Sequence, residues 1–299
     1  MQELWTKLNN PLVLVRLLEG PIFVASILLL VWASTPWANP LRVALRPVWR
    51  VFTRRNYFVY VSIGMSVILF DVLLTARDHS FTEAVLASRG EDFTSFIWHW
   101  EENRVAIFQR WMWMPLTWYL TWAYVIVFPA LVPWGMAVLD WLGQKRRLVS
   151  LLIAFIMNYV LVVPFYIFFP VQECHIWFKN LAGDGHRMVT LRLDNIHPAI
   201  MTVLRPMSGA DNCFPSFHTS LAVTLALFAL ASGRKRFAIA MNLMSLSIVF
   251  STLYLGIHWL TDVAGGILVG VVAFLVGEWL GKRLCRGRLG MTEITQEST

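Results

Sequence analysis

The chain has 299 residues, 57% of them hydrophobic and 14% charged, with a formal net charge of +7. Soluble domains run closer to a quarter charged, so the composition excludes an ordinary soluble fold and points to an integral membrane protein. The basic surplus does not indicate a nucleic-acid partner, because Lys and Arg fall in short loops between apolar runs, the pattern of cytoplasmic loops. A spanning helix needs about 20 mostly apolar residues. In chain order seven runs qualify, roughly 17–37, 57–76, 114–134, 148–171, 217–231, 237–256 and 263–281. Arg16 and Glu19 interrupt the first, and no small-residue cleavage site follows it, so it reads as a retained anchor rather than a signal peptide. The fifth is short and needs the residues before it to cross.

Charge orients these runs. The loop after the first carries Arg42, Arg46, Arg50, Arg54 and Arg55. Lys145, Arg146 and Arg147 follow the third, and Arg234, Lys235 and Arg236 follow the fifth. Lys282, Arg283, Arg286 and Arg288 follow the last. With seven spans all four clusters share one side, which the positive-inside rule makes cytoplasmic. The C-terminus is then inside. The outer side receives the connection 77–113, the longer connection 172–216, and a short turn holding His258. Eight of the fifteen Trp lie between Trp98 and Trp141, as an aromatic belt at the interfaces requires, and part of 77–113 is expected to lie flat there. With no repeat and no low-complexity linker, residues 1–284 read as one catalytic domain, and 285–299 as a mobile cytoplasmic tail.

The outer side is where chemistry concentrates. The segment NCFPSFHTS, 212–220, puts Pro215 and Ser216 at the start of the fifth run, where Ser caps a helix. His218 then lies near a helix N-terminus, whose backbone N–H groups favour an anion such as phosphate. The turn STLYLGIHWLTD places His258 and Asp262 at i and i+4, one face of a helix. A carboxylate on one ring nitrogen sets the tautomer and leaves the other nitrogen free to attack. Two histidines, one oriented by an acid and one at an anion-binding helix end, suit phosphoryl transfer through a phosphohistidine. Against this stands the plainer reading of two interfacial histidines and a local hydrogen bond.

PSFH (215–218) and HWLTD (258–262), 40 residues apart, resemble the second and third motifs of the type 2 phosphatidic acid phosphatase superfamily, PSGH and SRxxxxxHxxxD. Ser251 matches the third motif's Ser, while Thr252 stands where its Arg belongs. Arg205-Pro206 resembles the end of the first motif, KxxxxxxRP, with Pro198 at the Lys position. The Phe in PSFH and the missing Arg are similar to the inositol phosphorylceramide synthase branch, whose members move a phosphorylated head group between lipids. The resemblance implies an all-α polytopic membrane bundle, a six-helix core plus one extra helix, with the motif core at about 148–281. By position it implies His258 as nucleophile, Asp262 as its orienting partner, His218 as acid and base, and Ser216 and Arg205 at the phosphate. It implies no cofactor and no metal. The missing Lys has no positional match, and Lys179, Arg187 and Arg192 share the outer loop.

The expected reaction is transfer of a phosphorylated head group from a lipid phosphodiester to an acceptor hydroxyl. Loss of an Arg clamp suits a diester, which carries one negative charge, better than a monoester approaching two. The alternative is a metal-independent lipid phosphate phosphatase with water as acceptor, of phosphatidic acid or isoprenyl phosphate or diphosphate type. A third reading is a non-catalytic lipid-binding membrane protein. The expected partners are a membrane lipid and a hydroxyl acceptor, with no nucleic acid and no obligate protein partner. The expected location is a plasma or inner membrane, with the site on the extracytoplasmic side. Cys174 and Cys213 share the long outer loop, as a disulfide if that side is oxidising or as two buried thiols otherwise. A zinc set of Cys174, His175, Cys213 and His218 is conceivable by ligand type but consumes His218.

Overall fold

A chain inside a bilayer must satisfy its own backbone N–H and C=O groups, and helices do so within a single segment. The computed structural model describes residues 11–53, 93–182, 188–196 and 211–296, with isolated positions between them, and for 11–19, 182 and 286–296 the backbone alone. The described elements are helical throughout: α1 (Pro11–Ser34), α2 (Pro40–Thr53), α3 (Thr94–Glu101), α4 (Met114–Trp141), α5 (Lys145–Phe168), α6 (Cys174–Ala182), α7 (Phe217–Ala231), α8 (Lys235–Tyr254) and α9 (Leu260–Gln296). Short 3-10 turns lie at Arg104–Gln109 and Arg192–Asn195, and α4 contains a π-helical turn at Ala123–Val127. The fold is an all-α membrane bundle, as expected.

Four helices are long and apolar enough to cross a membrane: α4, α5, α8 and the Leu260–Cys285 part of α9. Two shorter apolar helices, Gly20–Ser34 and Phe217–Ala231, accompany them. These six correspond to the first, third, fourth, fifth, sixth and seventh expected runs. The second, 57–76, lies outside the described residues apart from isolated positions. One expectation needs correction. The basic stretch after the first run is a helix, α2, rather than a loop. Arg46 and Arg50 share one face of it and both reach the fully buried Asp140 of α4, Arg46 through Nε at 3.4 Å. A buried carboxylate needs such partners. The last helix runs on to Gln296.

α7 is the hub, packed against α4, α5, α8 and α9 around Leu225 and Phe228. Thr224, midway along it, receives Asn158 Nδ2 of α5 at 3.1 Å and lies 3.1 Å from the Gly270 carbonyl of α9. Such polar contacts and small residues hold membrane helices together where lipid supplies no hydrophobic drive. Gly266 of α9 is needed for close approach, since a Cβ there would lie 2.6 Å from the Ser216 carbonyl oxygen. Leu243, Leu246, Leu268 and Leu275 stay exposed, the side a lipid solvent would cover. α7 and α9 begin, and α8 ends, at one end of the bundle. The turns holding Lys145 to Arg147 and Arg234 to Arg236 are at the other.

Candidate active site

The turn from α8 to α9 closes on a left-handed glycine. Gly256 has φ +80, the Gly256 N–H bonds the Leu253 carbonyl at 3.1 Å, and the Ile257 N–H bonds the Thr252 carbonyl at 3.1 Å. This is a Schellman ending, which requires the residue at Gly256 to adopt positive φ. The turn's four carbonyls are then satisfied by the outer connections. Gln109 Nε2 donates to Tyr254 at 2.9 Å, and the Arg192, His175 and Cys174 N–H groups donate to Leu255, Gly256 and Ile257, each at 3.0 Å. The two connections around 93–113 and 172–195 therefore bind the turn directly, while Trp100, Trp111 and Trp113 remain exposed.

From this turn His258 enters α9. Its Nδ1 lies 3.2 Å from Asp262 Oδ2, and both residues are buried. The same carboxylate oxygen accepts the Trp259 N–H at 2.8 Å. With Nδ1 engaged, Nε2 is the ring nitrogen left for chemistry. The Glu101 carboxylate of α3 accepts the next two N–H groups of the helix, Leu260 at 2.9 Å and Thr261.

The start of α7 faces this pair. Ser216 is the N-cap, its Oγ accepting the Thr219 N–H at 3.3 Å, while its own N–H bonds the Asp262 carbonyl at 3.0 Å. That second bond ties the two helix starts together. His218 lies one residue inside α7, with its ring centroid 5.9 Å from that of His258. Tyr124 and Phe128 of α4 pack on it, at 4.3 Å and 4.0 Å between centroids. Tyr124 sits within the π-helical turn at Ala123–Val127 and Phe128 directly follows it, and π turns recur at functional sites.

The structure thus brings together His218, His258, Asp262 and Ser216. Arg205, Arg187 and Pro198 lie outside the described residues. Thr252, at the position of the missing motif Arg, is fully buried, and its hydroxyl donates to Val249 of its own helix at 2.8 Å. Its one proton is committed, so it offers phosphate no donor. Glu101, Gln109, Tyr124 and Phe128 were not singled out from sequence as site residues. The spacing of Trp98 and Glu101 on one face of a short helix was the one local signal available for Glu101.

Cys174 and Cys213 are free thiols, both buried. The Cys213 thiol donates to the Ile257 carbonyl at 3.4 Å. Burial pushes both thiols up, with the Asp262 carboxylate adding to it, and Glu101 acting further on Cys174 and Glu173 on Cys213. Among the described residues the ligand atoms of Cys213, His258 and Asp262 lie within 4.8 Å of one another, a trio different from the zinc set considered from sequence. These are zinc donor types, but the imidazole and the carboxylate are paired with each other and the thiol is held in its protonated form.

The family model of the PAP2 superfamily matches residues 94–276. Over 67 residues, 22% of this chain and 34% of the other, the chain is 36% identical to YbjG of Escherichia coli (strain K12), named as an undecaprenyl-diphosphatase. Over 113 residues, 38% of this chain and 49% of the other, it is 27% identical to the lipid A 4'-phosphatase of Bacteroides thetaiotaomicron. The alignments thus cover about a third and a half of these relatives' lengths. No solved structure matches the chain.

Proposed function

The chain belongs to the PAP2 superfamily, and from that premise we propose that it is a membrane enzyme cleaving phosphate from a lipid phosphate or diphosphate. The observation that carries the reading is the pairing of His258, oriented through Nδ1 by Asp262, with His218 at the start of α7. In the first step His258 Nε2 attacks phosphorus and the bond to the lipid oxygen breaks. His218 gives its proton to that departing oxygen, so lipid alcohol leaves from a monophosphate, or lipid monophosphate from the terminal phosphorus of a diphosphate, and phosphohistidine remains. In the second step His218 takes a proton from water, whose oxygen attacks the phosphohistidine, releasing inorganic phosphate and restoring His258. Backbone N–H groups at the start of α7, capped by Ser216, would hold the phosphoryl oxygens. Arg205 would supply the cationic contact. Neither step calls on a metal or a cofactor.

Hydrolysis takes precedence over the transfer expected from sequence, because both relatives are named as phosphatases. Transfer to a lipid hydroxyl, the reaction of the inositol phosphorylceramide synthase branch, remains the second reading. The observation favouring it is Thr252, which gives phosphate no donor where the motif has an Arg. By the positive-inside rule the basic end is cytoplasmic, which puts the site and its lipid on the extracytoplasmic side of a plasma or inner membrane.

The test is incubation of purified protein, without added metal, with phosphatidate, undecaprenyl phosphate, undecaprenyl diphosphate and a lipid phosphodiester, beside His258→Ala. Free phosphate and new head-group-bearing lipids are measured together. Phosphate released by the wild type and not by the variant supports hydrolysis. A new lipid with little free phosphate moves the assignment to transfer. Equal turnover by both proteins would sink the phosphohistidine reading and leave the non-catalytic lipid-binding one.

A further inference from the structure

The start of α9 is a capping problem solved from outside the helix. The N-cap position is Trp259, and an indole has no acceptor for the orphan N–H groups of a first turn. Asp262, three positions into the helix, reaches back to the Trp259 N–H at 2.8 Å, which is one half of a capping box. In a full box the N-cap side chain answers by accepting an N–H further along. Trp259 instead points into an aromatic cluster, fully buried, with its Nε1–H on the Gln172 carbonyl at 3.0 Å.

Glu101 supplies the missing half. It is buried at the end of α3, and its two carboxylate oxygens accept the Leu260 and Thr261 N–H groups. α3 is docked for this purpose. Trp98, one turn earlier on the same face, meets Trp259 at 6.5 Å and Phe178 at 5.2 Å between centroids. Thr94 Oγ1 accepts the Gln172 N–H at 2.8 Å, and the Phe93 N–H donates to Pro170 at 3.1 Å. A buried carboxylate is costly unless its oxygens are bonded. Its placement on two adjacent helix-start N–H groups, more than 150 residues away in sequence, is therefore specific.

Without Glu101, the Leu260 and Thr261 N–H groups would turn to the carboxylate of their own first turn, Asp262, whose Oδ1 is buried without a hydrogen-bond partner among the described residues. Rotating that oxygen toward them would draw Oδ2 away from His258 Nδ1. We infer that Glu101 is a positioning residue: by completing the cap of α9 it keeps Asp262 on His258 and so fixes which ring nitrogen faces the substrate. The inference of an effect on turnover rests on the phosphohistidine reading above; the effect on the imidazole does not.

The test compares Glu101→Gln and Glu101→Asp with the wild type, with Glu102→Gln, at the exposed neighbouring position, as control. Histidine tautomers are read by nitrogen NMR on ring-labelled protein in micelles, with the His258 signals assigned by their loss in His258→Asn. The wild type and the control should show His258 protonated on Nδ1, and Glu101→Gln a mixture of tautomers. On whichever lipid phosphate the wild type hydrolyses, kcat should fall at least tenfold in Glu101→Gln while KM stays within threefold. Glu101→Asp, with its carboxylate one methylene short, should fall between, and it carries the test if the Gln variant does not fold. An unchanged His258 tautomer with kcat within twofold of wild type overturns the inference. If the wild type turns over no substrate, the proposed function fails while the tautomer comparison still decides the role of Glu101.

Discussion

Two helix starts meet at the site and are finished in opposite ways. α7 is capped by the neutral hydroxyl of Ser216, whereas α9 is capped by two carboxylates, Asp262 and Glu101. Both termini carry partial positive charge from unpaired N–H groups and the helix dipole. At α9 that charge is already answered by anions of the protein, one of which, Asp262, also holds the His258 imidazole. At α7 the cap is neutral, and in the proposed reaction that charge is left for the phosphoryl group. The same backbone feature would then serve a nucleophile on one side and an anion site on the other, according to the charge of the cap. The Ser216 N–H to Asp262 carbonyl bond keeps the two in register.

The largest expected effect tests the division of labour itself. His258→Ala should lower phosphate release by about 10³-fold or more, because no nucleophile remains. His218→Ala should cost about 10²–10⁴-fold on lipid substrates, the range for a general acid. An ester with a good leaving group, such as p-nitrophenyl phosphate, needs less protonation and should recover part of the first-step rate in His218→Ala but none in His258→Ala. Equal recovery in both would erase the distinction between the two helix ends.

Next comes their spacing. Gly266→Ala places a methyl 2.6 Å from the Ser216 carbonyl, which must push α7 away from α9. A displacement on the order of 1 Å between reacting groups costs about 10²-fold, so kcat should drop by that order in a protein that still spans the membrane. A fully active variant would mean that the two ends need not be held together.

The cap charge can then be changed alone. Ser216→Ala should cost about 1 kcal/mol of stability, the usual worth of such a cap, measured as a shift in detergent-phase thermal unfolding. Ser216→Asp keeps an acceptor for the Thr219 N–H and adds a charge. It should raise KM by at least about tenfold, equivalent to about 1.4 kcal/mol, with a smaller loss of stability than Ala. An unaltered KM would show that phosphate does not dock at α7.

The smallest effect concerns the thiols beside the α9 start. Burial and the Asp262 carboxylate raise both Cys174 and Cys213, so their thiolate fraction at a given pH is lower than that of an ordinary thiol. Iodoacetamide at pH 8 should therefore modify half-buried Cys285 first, and the onset for Cys174 and Cys213 should lie at higher pH and move down on denaturation. Peptide mass spectrometry reads this out. Early modification of Cys213 would mean that the α9 end is neither closed nor anionic.

How much of this was legible in the sequence follows from the range of each interaction. Apolar runs set the helices, because a bilayer accepts few alternatives. The four-residue spacing of His258 and Asp262 set their contact, because His258 stands just before α9 and Asp262 in its first turn. Pro215 and Ser216 marked the start of α7 because capping is local. The basic stretch after α1 was misread as a loop because its partner, Asp140, is some 90 residues further on.

Tertiary structure decided the rest. It brought the ring of His218 to 5.9 Å from that of His258 between centroids, since nothing in the 39 intervening residues states how closely α7 and α9 pack. It also decided that Glu101 and Gln109 serve the turn, because they bind backbone N–H and C=O groups that every residue possesses and no sequence pattern can mark. The sequence by itself determined the apolar helices and which residues are candidates for chemistry. Only packing decided which helix end faces which, and therefore which charge each end presents to the site.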